Sequence, residues 1–95
     1  MTWFTVDTRY VEDADLLAAV RPQHRDYLQS MVETGQVLAA GPWADDSGGF
    51  LVIKAADRAE LDALLAVDPY TVDGVAAERV IREWKIVLGQ PAALA

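Results

Sequence analysis

The chain has 95 residues, enough for one domain and not two. Its formal net charge is −7, from 15 acidic and 8 basic residues. That repels a phosphate backbone and offers nothing to an anionic membrane surface, so nucleic-acid and membrane partners are set aside. It contains no cysteine, which removes disulfides, thiolate metal sites and cysteine nucleophiles and fits a cytoplasmic protein.

No apolar run approaches the roughly 20 residues that span a bilayer. The first residues, MTWFTVDTRY, have no basic region followed by an apolar block, so no signal peptide is expected. Yet 53% of the residues are hydrophobic and three are tryptophan. A core of this size is thin. The excess implies that an apolar face is covered by a second copy.

Thr2 to Arg9 alternates and reads as a strand, with Phe4 and Val6 on one face and Trp3, Thr5 and Asp7 on the other. Asp13 is the expected N-cap of the next element. Pro22 removes an amide donor, so the spacing predicts a short helical turn over about Asp13 to Val20, then a kink and a restarted helix to about Thr34. Gly35 suits a left-handed cap. In this stretch the sole histidine, His24, lies four residues after Val20, with Tyr27, Leu28 and Met31 at steps of seven, eight and eleven. The spacing puts its imidazole on the buried stripe.

Gln36 to Ala40 reads as a short strand closed by Gly41–Pro42. Trp43 to Gly49 is a loop, and Phe50 to Ala56 returns as the partner strand of a hairpin. Asp57 and Glu60 open a second helix, whose buried face is Leu61, Leu64 and Leu65 and which ends before Pro69. Asp68 to Gly74 is a turn-rich connection. Ala77 to Leu88 alternates as a long strand, with Ile81, Glu83, Lys85 and Val87 on one side. Gln90 to Ala95 reads as a frayed tail, and the chain as a single domain over residues 1–95 with about 89–95 as a short tail.

The order is strand, helix, strand, strand, helix, strand. It predicts an α+β, ferredoxin-like βαββαβ domain: a four-stranded antiparallel sheet with two helices on one face. The open sheet face carries apolar residues, so a homodimer through that face is expected. The ends of the paired sheets would then offer clefts for a small-molecule ligand.

His24 is the candidate general acid or base, because an imidazole titrates near neutral pH. To act directionally it needs a carboxylate on its second nitrogen. Asp68, fixed before a proline turn, is the first candidate partner, and Asp7 the second. Arg21 is a candidate grip for an anionic substrate group. Gly41 and Pro42 end a strand where a backbone could come close to a ligand. Trp3, Trp43 and Trp84 read as packing residues, with a pocket wall for a ring-shaped ligand as the alternative. One histidine with scattered carboxylates makes no metal site. No glycine-rich phosphate loop follows a strand, so no cofactor is expected.

RPQH at Arg21 to His24, Leu28, AAGP at Ala39 to Pro42, GGF at Gly48 to Phe50 and DPY at Asp68 to Tyr70 together resemble the YciI-like (YCII-related) family. The likeness spans nearly the whole chain. It implies a dimeric α/β barrel of ferredoxin-like protomers, related to muconolactone isomerase. It also implies a histidine–aspartate pair, which maps onto His24 and Asp68. One branch of that family includes a dehydrochlorinase acting on a chlorinated hydroxyhydroquinone. The resemblance therefore suggests a lyase or isomerase acting on a small cyclic or conjugated substrate, with Arg21 or Tyr70 steadying a substrate oxygen. The competing reading is a non-catalytic dimer that binds a metabolite or another protein. Pro22 and the short Trp43 to Gly49 loop depart from the pattern.

Overall fold

Alternation in the first strand decides the layering. In the computed structural model, which describes residues 1–89, β1 (Thr2–Tyr10) turns Phe4 and Val6 toward the helices and Trp3, Thr5 and Asp7 away from them. The chain then forms α1 (Ala14–Glu33), β2 (Val37–Pro42), β3 (Gly48–Ala55), α2 (Arg58–Ala66), α3 (Pro69–Val72) and β4 (Ala76–Trp84). All strand pairings are antiparallel, in the order β2-β3-β1-β4. The architecture is the expected ferredoxin-like α+β sheet with helices on one face. The tail from Gln90 to Ala95, read from sequence as frayed, lies outside the described residues.

Two apolar clusters fill the space between sheet and helices. The larger joins Phe4, Val6, Leu51 and Ile53 of the sheet to Leu28 and Met31 of α1 and Leu61 and Leu65 of α2. The smaller joins Tyr10, Leu17, Val20, Tyr70 and Val75 at the other end. α3, which is one turn long, is carried on that second cluster through Tyr70.

α1 is one continuous helix of 20 residues, not a turn and a restart at Pro22. The Pro22 ring leaves the Ala18 carbonyl without its helical donor. Both residues are exposed, so water can take the donor's place. The buried stripe of Leu17, Val20, Leu28 and Met31 lies on both sides of the proline. Packing of that stripe outweighs the local cost. Asp13 caps the start, accepting from the Leu16 amide at 3.0 Å. The end is a Schellman motif: the Gly35 amide donates to Val32 O (3.0 Å), the Gln36 amide donates to Met31 O (2.9 Å), and Gly35 takes φ +81°.

β4 stops at Trp84, four residues short of the expected Leu88. Among the described residues its only ladder is with β1, and Trp84 already faces Trp3, where β1 runs out. The residues beyond have no strand to pair with. On the far side of the sheet, Trp43, Val80 and Trp84 are exposed.

A helix-interior proline costs about 3 kcal/mol relative to alanine in an isolated helix. Pro22→Ala is therefore expected to raise stability by roughly 1–3 kcal/mol. Urea unfolding of the two chains followed by circular dichroism measures the difference.

Candidate active site

The site is built around a carboxylate that the fold cannot leave unpaired. Asp68 is buried, with its side chain 2% exposed. It stands at the N-cap of α3, where Pro69 occupies the first helical turn at no cost to hydrogen bonding. Asp68 Oδ1 accepts from the Tyr70 amide at 3.0 Å, and His24 Nδ1 lies 2.7 Å from the same oxygen. Oδ2 accepts from Arg79 Nη2 at 2.9 Å. Both oxygens are thus occupied from three directions: α1, α3 and β4.

His24 stands in the middle of α1 with its side chain 17% exposed. An ionised carboxylate only accepts, so the ring nitrogen facing Asp68 carries the proton. Nε2 is turned the other way and hydrogen-bonds no protein group among the described residues. The ring lies flat on Tyr70, with centroids 3.6 Å apart and planes 2° from parallel. Tyr10 meets the same tyrosine edge-on at 5.3 Å. Imidazole rotation is therefore blocked by a stack on one side and a hydrogen bond at one end.

Arg21 lies one turn before His24. Its Nη2 donates to Asp46 Oδ1 at 2.7 Å and its Nε to the Tyr70 hydroxyl at 3.5 Å. These contacts hold its guanidinium above its ordinary value, Tyr70 more than Asp46. Asp46 is at the tip of the β2–β3 hairpin with φ +62°, a left-handed conformation that aspartate tolerates. The tip is closed by Trp43 N–H to Gly48 O and by Ser47, whose amide and hydroxyl both donate to Asp45.

A cavity of about 380 Å³ opens beside these groups. All six residues singled out from sequence line it: Arg21, His24, Gly41, Pro42, Asp68 and Tyr70. A Cβ built on Gly41 meets nothing within 4 Å, so the wall there is open space. On Gly49 a Cβ would lie 2.6 Å from the Tyr10 hydroxyl, so that residue must lack a side chain for Tyr10 to reach the cavity. The remaining walls are largely apolar, from the side chains of Val6, Leu28 and Leu51. Such a mix, a hydrocarbon surround with a few aimed polar groups, is what small ligands occupy.

The second candidate partner, Asp7, points to the opposite sheet face, where its carboxylate accepts from Trp43 Nε1 at 3.3 Å. None of the three tryptophans lines the cavity. Arg79, Tyr10, Thr8 and Asp46 are site residues that the sequence reading missed. A signal for Arg79 was present. It shares the helix-facing side of β4 with Ile81, and a charge on that side needs a partner.

The chain matches the YCII-related domain over residues 2–85. It belongs to that family. No protein of curated function matches it. Among solved structures it resembles the 5-chloro-2-hydroxyhydroquinone dehydrochlorinase of Burkholderia phenoliruptrix, determined in complex with 2,5-dihydroxybenzoquinone. Identity is 22%, coverage 87% of this chain and 93% of that one, and the TM-score 0.77. An antibiotic biosynthesis monooxygenase follows at 15% identity, covering 93% and 100%, with a TM-score of 0.61. A Mycobacterium tuberculosis protein has 12% identity, covers 94% and 99%, and has a TM-score of 0.56. At these identities the likeness shows that this YCII-related domain shares their fold. No helix among its described residues is long and apolar enough to cross a membrane.

The Tyr10 phenol is pushed up to about 12, first by burial and then by the neighbouring Tyr70. An unfolded tyrosine titrates near 10. The fold therefore favours the protonated phenol, and this contribution to stability is intact below pH 10 and is lost as pH rises from 10 to about 12. Alkaline unfolding followed by fluorescence should show a stability loss in that window, and Tyr10→Phe should make the loss shallower.

Proposed function

We propose that this YCII-related domain is a cofactor-independent enzyme of the lyase or isomerase type, acting on a small cyclic or conjugated substrate. The observation that carries the reading is the His24 Nδ1 to Asp68 Oδ1 contact of 2.7 Å, with Nε2 left free on a ring that lines the cavity. A neutral imidazole held in this way has its lone pair on Nε2. That nitrogen takes a proton from an acidic O–H or C–H of the bound compound. The electron pair moves into the conjugated system and either expels an anionic leaving group or is reprotonated by the same imidazolium at another atom. Asp68 stabilises the imidazolium while the proton is on it. The role assigned to Asp68 is orientation and charge, as in a triad, and not proton acceptance.

Arg21 and Tyr70 then steady a substrate oxygen from the cavity wall, and Gly41 and Pro42 let the ring approach the β2 backbone. The dehydrochlorinase that shares the fold binds a dihydroxybenzoquinone. A ring of that size suits a cavity of about 380 Å³. A general base in this position contributes roughly a hundred- to ten-thousand-fold in rate.

The same reading includes a homodimer through the open sheet face. Trp43, Val80 and Trp84 are exposed there, with Phe50 tilted against Trp43 at 5.7 Å. Aromatic residues on a sheet face favour burial against a partner. Sedimentation at micromolar concentration is expected to give a dimer, and Val80→Glu a monomer.

The decisive test is turnover of 5-chloro-2-hydroxyhydroquinone and binding of 2,5-dihydroxybenzoquinone. Chloride release is expected from the natural chain. His24→Ala should lower its rate by at least about a hundredfold with the fold retained. Undiminished turnover in that variant would remove His24 from the chemistry. Binding without turnover in the natural chain would favour a metabolite-binding module.

A further inference from the structure

Asp68 has two possible cationic partners, and which of them carries the charge decides what His24 can do. A carboxylate this buried cannot remain ionised without a cation against it. His24 could supply that cation by becoming an imidazolium. Both ring nitrogens would then be donors, and no lone pair would face the cavity.

Arg79 is the other partner. It comes from β4, and its side chain is 15% exposed. All three guanidinium nitrogens are engaged: Nη2 donates to Asp68 Oδ2 at 2.9 Å, Nε to Thr8 Oγ1 at 3.2 Å, and Nη1 to Thr71 Oγ1. The fork is thus fixed by β1, by α3 and by the carboxylate itself. Burial draws Arg79 below its ordinary value, and Asp68 works against that. A guanidinium starts so high that it stays charged.

We propose that Arg79 is a positioning residue that neutralises Asp68, so that His24 meets the cavity as an uncharged imidazole with a free Nε2. The inference rests on the acid–base reading of His24. In this arrangement Asp68 is a firm hydrogen-bond acceptor with its charge already balanced. It fixes the imidazole tautomer without forcing a second proton onto the ring. The other titratable groups around the imidazole are Arg21, Arg25 and Tyr27 on α1, Tyr70 on α3 and Tyr10 on β1, with Asp46 reached through Arg21. None of them is a cation bonded to Asp68 among the described residues.

The single histidine makes the test direct, because nitrogen and proton NMR of the imidazole then report one residue. Arg79→Gln keeps polar contacts to the two threonines and removes the charge. It is expected to raise the midpoint of the imidazole titration by about one pH unit. Arg79→Met serves equally should the glutamine variant not fold. Arg79→Lys keeps the charge and should bring the midpoint back to within a few tenths of the natural chain. In the Asp68→Asn background the Arg79→Gln change should move the midpoint far less. An unmoved midpoint in Arg79→Gln, or a shift of the same size with and without Asp68, would overturn the proposal. Neither result bears on whether His24→Ala abolishes turnover, so the two readings fail separately.

Discussion

The constraint on which the rest depends is the isolation of one carboxylate from water. Asp68 is 1% exposed, and it caps a helix of only four residues. An anion in that position is tolerated only with its lone pairs filled and its charge balanced. The fold meets both demands by drawing in groups from three elements. That requirement explains why α3 exists at all. A single turn of helix has little stability of its own. Here it is held by the cap, by Tyr70 in the second apolar cluster and by Thr71 against Arg79.

The same requirement explains the condition of the histidine. An imidazole on a long amphipathic helix has several rotamers. In this chain a stack on Tyr70 and a hydrogen bond to Asp68 remove that freedom. The fold alone sets the position of the ring, before any ligand arrives. The hydrocarbon walls supplied by Val6, Leu28 and Leu51 lower the local dielectric and strengthen each of these contacts.

Much of this was legible in the sequence, for physical reasons that differ from element to element. Alternation in β1 and the leucine spacing in α2 gave the layers, because both reflect burial directly. Asp13 and Asp57 marked helix starts because their side chains bond the exposed amides. Pro22 misled, because a local cost is visible in the sequence while the packing that offsets it is not. The end of β4 was misjudged because a strand's length is set by its partner, and Lys85 to Leu88 alternate as well as the residues before them. In the site, His24, Arg21 and Asp68 carried local signals: a titratable residue on an apolar stripe and an aspartate before proline. Arg79 and Asp46 belong to segments remote in the chain. Their places follow from the β1–β4 register and the hairpin tip, which no local pattern encodes.

Among the described residues the sheet order puts β4 on an outer edge, with β1 as its only neighbour. Outer ribbons are the first to peel from a sheet, and this one carries Arg79. A transient detachment of β4 would therefore do more than expose a strand. It would unplug the guanidinium from the interior and leave the acidic centre uncompensated. Endurance of that edge and integrity of the pocket around Asp68 are thus a single quantity in this molecule, so a change that frays the rim reaches the buried carboxylate without touching it.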